Sequence, residues 1–153
     1  MAGAHRFRRN DPVPALSRLL SESALWKAAI AACGVPIAVL DAATPLRAAL
    51  YVNEAFERFF GYAPGEAVGR SLAQLVLRGD EPLGHRLLAE GHARQAMRTW
   101  GKDGAARHIE LALGAVRNAE GRVTHFVAAF SDRSEVERLR AEIDSLRRMD
   151  AAA

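Results

Sequence analysis

The side chains best suited to metal, nucleophilic or acid–base chemistry are five histidines and one cysteine, together with two pairs of neighbouring carboxylates. The histidines (His5, His85, His92, His108 and His125) show no metal-ligand spacing, and Cys33 has no second thiol to pair with. Asp80 and Glu81, like Asp132 and Glu135, fall in turn-like stretches, where nothing drives one carboxyl to hold its proton while the other stays ionised. The sequence also lacks a glycine-rich phosphate loop, a nucleophile elbow and a kinase or nucleotide-cyclase pattern. We therefore expect no enzyme, no catalytic residue and no metal site. Cys33 excludes an internal disulfide, fits a reducing compartment and is expected to be a small buried hydrophobe.

The elements that must position any function are those of one domain with extra ends. The chain has 153 residues, half of them apolar, enough for a real core. It has no apolar run near the about 18 residues of a membrane span, and no secretory segment follows the basic start MAGAHRFRRN, so a cytoplasmic protein is expected. The net charge of +3 conceals a basic arm at His5, Arg6, Arg8 and Arg9 and a final helix bearing Arg138, Arg140, Arg147 and Arg148. Such an arm could meet nucleic acid, but no recognition helix or base-stacking motif accompanies it. A solvated end is the expectation, with neither nucleic acid nor membrane as partner.

Residues 1–13 read as that disordered arm and 14–33 as a helical cap, with Leu16, Leu19 and Leu20 on an apolar stripe. A strand is expected at Pro36–Asp41 and another at Ala48–Val52. Asn53 caps a helix through Phe60, Gly61 stops it, Pro64 opens a second short helix and Gly69 ends that one. Leu72, Leu75 and Val76 suggest another helix, and Pro82–Arg94 a longer one, followed by a strand at Ala96–Trp100. Lys102-Asp103-Gly104 suits a type I′ hairpin turn. Arg107–Val116 and Arg122–Ser131 alternate apolar and polar, placing Ile109, Leu111, Leu113, Phe126, Ala128 and Phe130 on a core face. Ser134 and Glu137 read as the capping box of a last helix to Met149. Its Val136, Leu139, Ile143 and Leu146 form a heptad seam that either packs beside the sheet or pairs with another helix. The fold class is α+β: two strands, several short helices, then three antiparallel strands.

The run YVNEAFERFFGYAPGEAVGRS, Tyr51 to Ser71, resembles the opening of a PAS domain in its light-oxygen-voltage (LOV) branch, and GRVTHFV, Gly121 to Val127, is similar to the same branch. The resemblance covers about Val35 to Asp132 and implies a five-stranded antiparallel sheet with short helices on one face, enclosing a cavity. It also implies that signals leave through the terminal helices. In LOV photoreceptors a cysteine after Gly-Arg-Asn bonds to a flavin. Here Gly69, Arg70 and Ser71 match that motif and the cysteine position falls on Leu72, or on Gln74 in an alternative register; neither forms the adduct. The family's ring-binding asparagines correspond to Thr99 and Ile109, its last glutamine to Phe130, and its helical glutamine to Val76 or Arg78. Each lost bond leaves a ring polar atom unpaired, at a cost of about 1–3 kcal/mol.

No cofactor is therefore expected, with flavin or haem as the exceptions to test. Asn53, Leu72, Gln74, Leu75, Thr99, Ile109, Leu111, Phe126 and Phe130 are the positions that would line a pocket for a haem, a quinone or a lipid-like molecule. The expectation is nevertheless a filled core, since alternating apolar residues need no ligand to explain them. His85, with His92 further along the same expected helix, is the candidate haem ligand. The boundaries implied are an arm at 1–13, a cap at 14–33, a PAS core at 34–132, an amphipathic helix at 133–149 and a tail at 150–153. The function implied is a stand-alone signalling module without flavin–cysteine photochemistry, acting as a homodimer or with another PAS protein through Leu16, Leu19, Leu20, Val136, Leu139, Ile143 and Leu146. The alternative is a ligand sensor that relays its state through the last helix.

Overall fold

The computed structural model describes residues 24–25, 27–90 and 92–152. They belong to two units, Met1–Gly34 and Val35–Ala153. In the first, residues 24–25 and 27–32 are helical, and Cys33 lies in the turn that follows. Cys33 is exposed rather than buried, because it sits past the last helical residue and just before Gly34, whose φ of 71° turns the chain. The basic arm and the stripe Leu16, Leu19 and Leu20 lie outside the described residues.

The second unit is a five-stranded antiparallel sheet in the order β2-β1-β5-β4-β3. The strands are β1 (Ile37–Asp41), β2 (Ala49–Val52), β3 (His92–Trp100), β4 (Ala106–Arg117) and β5 (Val123–Asp132). Three short helices join β2 to β3: α1 (Glu54–Phe60), α2 (Leu72–Val76) and α3 (Glu81–Ala89); α4 (Ser134–Ala152) follows β5. The α+β class is as the order of elements predicts, and the five-stranded antiparallel sheet is as the family resemblance implies. Ile109, Leu111, Leu113, Phe126, Ala128 and Phe130 are all buried in one cluster with Ala38 and Leu40, on the face that the short helices cover. Ile37 and Val39 pair with Ala129 and Val127, which places those four on the opposite face.

Asn53 organises the entry to the helices. It is buried, its Oδ1 accepts from Phe56 N–H at 3.0 Å and Ile37 N–H at 2.9 Å, and its Nδ2 donates to the Val35 carbonyl at 2.7 Å. One side chain thus caps α1 and pins it to the start of β1. Gly61 ends α1 with φ 82°, a conformation that favours glycine.

Four local expectations are corrected. Pro64 does not open a helix: Gly65 takes φ 78°, and the stretch becomes separate turns closed by Glu66 N–H to Ala63 O and Arg70 N–H to Ala67 O. The helix expected through Arg94 ends at Ala89, because His92 to Trp100 are taken by pairing with Gly114 to Ala106 of β4. Tertiary pairing overrides the local helix preference there. In the β3–β4 turn Lys102 and Asp103 keep negative φ and only Gly104 is left-handed, at 80°, so the turn is not type I′. Ser134 is already helical, and its N–H is received by Asp132 Oδ1 at 2.9 Å, so the carboxylate two residues upstream does the capping.

Candidate functional site

The interior between α1, α2 and the inner sheet face is where the family resemblance places a ligand. Ile109 and Leu111 enter it from β4, Phe130 from β5, Thr99 from β3, and Leu72 and Leu75 from α2, each 2 % exposed or less. Three phenylalanine rings fill its middle. Phe56 and Phe60 lie 4.7 Å apart by centroid, and Phe130 packs edge-on against them at 5.7 and 5.1 Å. Such tilted and edge contacts are the favourable geometries for aromatic pairs. Tyr62 stacks on Phe56 at 6.2 Å and donates its hydroxyl to the Leu75 carbonyl at 2.6 Å. Burial pushes the Tyr62 hydroxyl above its ordinary value of 10.0, with Arg70 opposing and Glu66 adding to the shift.

The sequence-chosen positions do not all meet. Leu72, Leu75, Thr99, Ile109, Leu111 and Phe130 converge in the interior with Phe126, which carries the Arg47 guanidinium 5.3 Å above its ring. Asn53 is buried, but the bonds above commit it to backbone. Gln74 is exposed on α2: its Oε1 accepts from Ser71 N–H at 3.0 Å while Ser71 Oγ accepts from Gln74 N–H, a reciprocal cap. Of the two positions matching the family's cysteine, Leu72 is the one that faces inward. The Ser-x-x-Gln spacing is a capping signal that the pocket reading of Gln74 passed over.

The flavin donor set can be tested on these atoms. Thr99 is fully buried and its hydroxyl donates to the Arg107 carbonyl at 3.3 Å. The side chains of Ile109, Phe130, Leu72 and Val76 carry no hydrogen-bonding group, and Arg78, with φ 55°, is exposed with its guanidinium 4.2 Å from the Trp100 ring. The matched positions therefore offer no free polar side chain to the polar edge of a flavin ring, and Phe130 stands in the middle of the space; the residues do not fit that group.

The haem candidates separate as well. His92 begins β3 instead of continuing α3. His85 is exposed on α3, beside a shallow cleft of about 10 Å3 that it shares with Arg47, Ser71, Glu81 and Leu88, room for a single water. Ser71 Oγ there donates to Glu81 Oε1 at 2.9 Å. Among the described residues no three His, Cys, Asp or Glu side chains group as a metal site, and no helix is long and apolar enough to cross a membrane.

The second notable surface is α4. Of the ten large hydrophobic side chains that are exposed among the described residues, five lie on this one helix: Val136, Leu139, Ile143, Leu146 and Met149, from 42 % to 67 % exposed. The seam therefore does not pack beside the sheet. The root of α4 is fixed, by Arg133 N–H to the His108 carbonyl at 2.8 Å and by Arg133 Nη1 to Glu110 Oε2 at 3.2 Å.

At 27 % identity the chain resembles the structure of an RNA-binding light-oxygen-voltage receptor, with a TM-score of 0.69 over 99 % of this chain and 42 % of that one. It shares its fold with a light-oxygen-voltage domain studied with a flavin analogue, at 21 % identity and a TM-score of 0.62, over 79 % of this chain and 93 % of that one. The PAS domain of the fruit-fly ELK potassium channel has the same fold at 13 % identity and a TM-score of 0.56, over 65 % of this chain and 87 % of that one. The bacterioopsin transcriptional activator of Halobacterium salinarum is 28 % identical over an alignment of 122 residues that covers 75 % of this chain and 18 % of that protein. The chain thus spans less than half of the RNA-binding receptor and under a fifth of the activator. The PAS fold model matches residues 24–133, the sheet and all three short helices included, and the chain belongs to the PAS family, with light-oxygen-voltage domains among its structural neighbours.

Proposed function

We propose that this PAS signalling module works by pairing through α4 and not by flavin–cysteine photochemistry. The observation that carries the reading is the apolar stripe Val136, Leu139, Ile143 and Leu146, left open to solvent on a helix whose root is fixed to the sheet. A solvated helix with that stripe is stabilised by a matching surface, since covering apolar area gains about 25 cal/mol per Å2. A sensor of an internal ligand would need space where Phe56, Phe60 and Phe130 pack, and a photoreceptor would need a thiol where Leu72 stands. Basic groups alone do not carry an RNA-binding role from the similar receptor to this chain.

The test is the mass of the protein in solution. Replacing Leu139 and Ile143 with Glu is expected to shift the species toward monomer in light scattering, with the circular dichroism of the sheet unchanged. An unaltered mass would remove α4 as the pairing surface. A visible spectrum of freshly purified protein is expected to lack a flavin band and a light response; a flavin band that bleaches and recovers would overturn the photochemical half of the proposal.

A further inference from the structure

We infer that the partner covering α4 is a second copy of this chain, lying parallel and in register. The inference rests on the pairing reading above and deepens it. With Val136 at heptad position a, Leu139 and Leu146 take d and Ile143 takes the next a. Within a parallel coiled coil, β-branched residues at a with leucine at d favour two strands over three or four.

Charge decides more sharply. Positions g are Glu135 and Glu142, and positions e are Arg140 and Arg147. A parallel pair sets each g beside the e five residues further along the partner helix, so Glu135 meets a second copy's Arg140 and Glu142 its Arg147. An antiparallel pair sets g against g and e against e, which places glutamate on glutamate and arginine on arginine. The same four side chains are thus attractive in one orientation and repulsive in the other.

They are also available. Among the described residues Glu142 and Arg147 have no ion-pair partner in their own chain, while Glu135 and Arg140 make only i,i+3 contacts, at 3.5 Å to Arg138 and 3.8 Å to Glu137. Two heptads are marginal for an isolated peptide. Here the first turn is already formed by Asp132 Oδ1 and by the Arg133 carbonyl, which receives Glu137 N–H at 2.9 Å, so the nucleation cost is met before the helices associate. Asp150, at the next a position, ends the apolar seam.

The test uses the full chain with Cys33→Ser and Ile143→Cys. Mild oxidation is expected to link the chains into covalent dimers, because residue 143 faces its own counterpart across a parallel seam. An antiparallel pair would leave that variant unlinked and would instead link chains carrying Val136→Cys to chains carrying Leu146→Cys. Dimers by light scattering without a 143–143 link would overturn the orientation and leave the pairing reading standing; a monomer at every concentration would remove both. As an independent measurement, Glu135→Lys with Glu142→Lys turns four interhelical attractions into repulsions and is expected to weaken self-association on the order of 100-fold. Mixing that variant with Arg140→Glu, Arg147→Glu chains should restore a dimer containing one of each. Undiminished self-association of the lysine variant would overturn the charge code.

Discussion

Arg133 Nη1 lies 3.2 Å from Glu110 Oε2, which joins the one residue between β5 and α4 to the outer face of β4. Both side chains are less than a third exposed, and Arg94 Nε approaches the other Glu110 oxygen at 3.7 Å. Arg133→Ala is expected to cost about 0.5–1 kcal/mol, the upper range for a pair that keeps some solvent. Hydrogen exchange should quicken at the amides of Ser134 to Glu137 and stay unchanged in β1. Unchanged exchange at the helix root would show that the ion pair does not hold it.

Asn53→Ala is expected to be among the most damaging single polar changes. It orphans the buried N–H of Ile37 together with that of Phe56 and frees the Val35 carbonyl, for a loss of about 3 kcal/mol. Urea denaturation measures it directly. A midpoint close to the parent's would mean that water replaces the side chain.

Phe130→Ala tests whether the interior is filled. Its ring is 1 % exposed and touches both Phe56 and Phe60, so truncation leaves a cavity and is expected to cost about 3–5 kcal/mol. A loss under about 1 kcal/mol would show that the ring is not close-packed.

Tyr62 makes the fold sensitive to base. Its folded-state value is raised, chiefly by burial, so its contribution is fully present below the unfolded value near 10.0 and is lost as pH rises through the raised one. Stability measured from pH 8 to 11 should fall above about pH 10 in the parent. In Tyr62→Phe that component of the slope should vanish, while the lost bond to the Leu75 carbonyl lowers stability at neutral pH. An identical slope in both proteins would assign the base sensitivity elsewhere.

Much of the architecture was legible because its signals are local. The period-two alternation of Ile109, Leu111 and Leu113, and of Phe126, Ala128 and Phe130, identifies the inner face without any knowledge of pairing, and Asn53 announces a cap by its type and place. The errors sit where a distant partner decides. Residues 92–95 follow a leucine-rich helical stretch and become strand because β4 is long enough to claim them. Gln74 and Leu72 compete for one family position, and only the orientation of α2 separates them. Glu110 and Arg133 are 23 residues apart with nothing in either neighbourhood to announce the pair.

The join between β5 and α4 has a consequence for the rotational phase of the helix. β5 is held on both sides, by β1 and β4, and only Arg133 separates its last residue from the first of α4. The azimuth of the apolar stripe is therefore inherited from the sheet. One residue inserted at 133 would turn every side chain of α4 by about 100° and advance it by about 1.5 Å. Length at that single position then sets the direction in which the helix presents its stripe, independently of the residues that compose it.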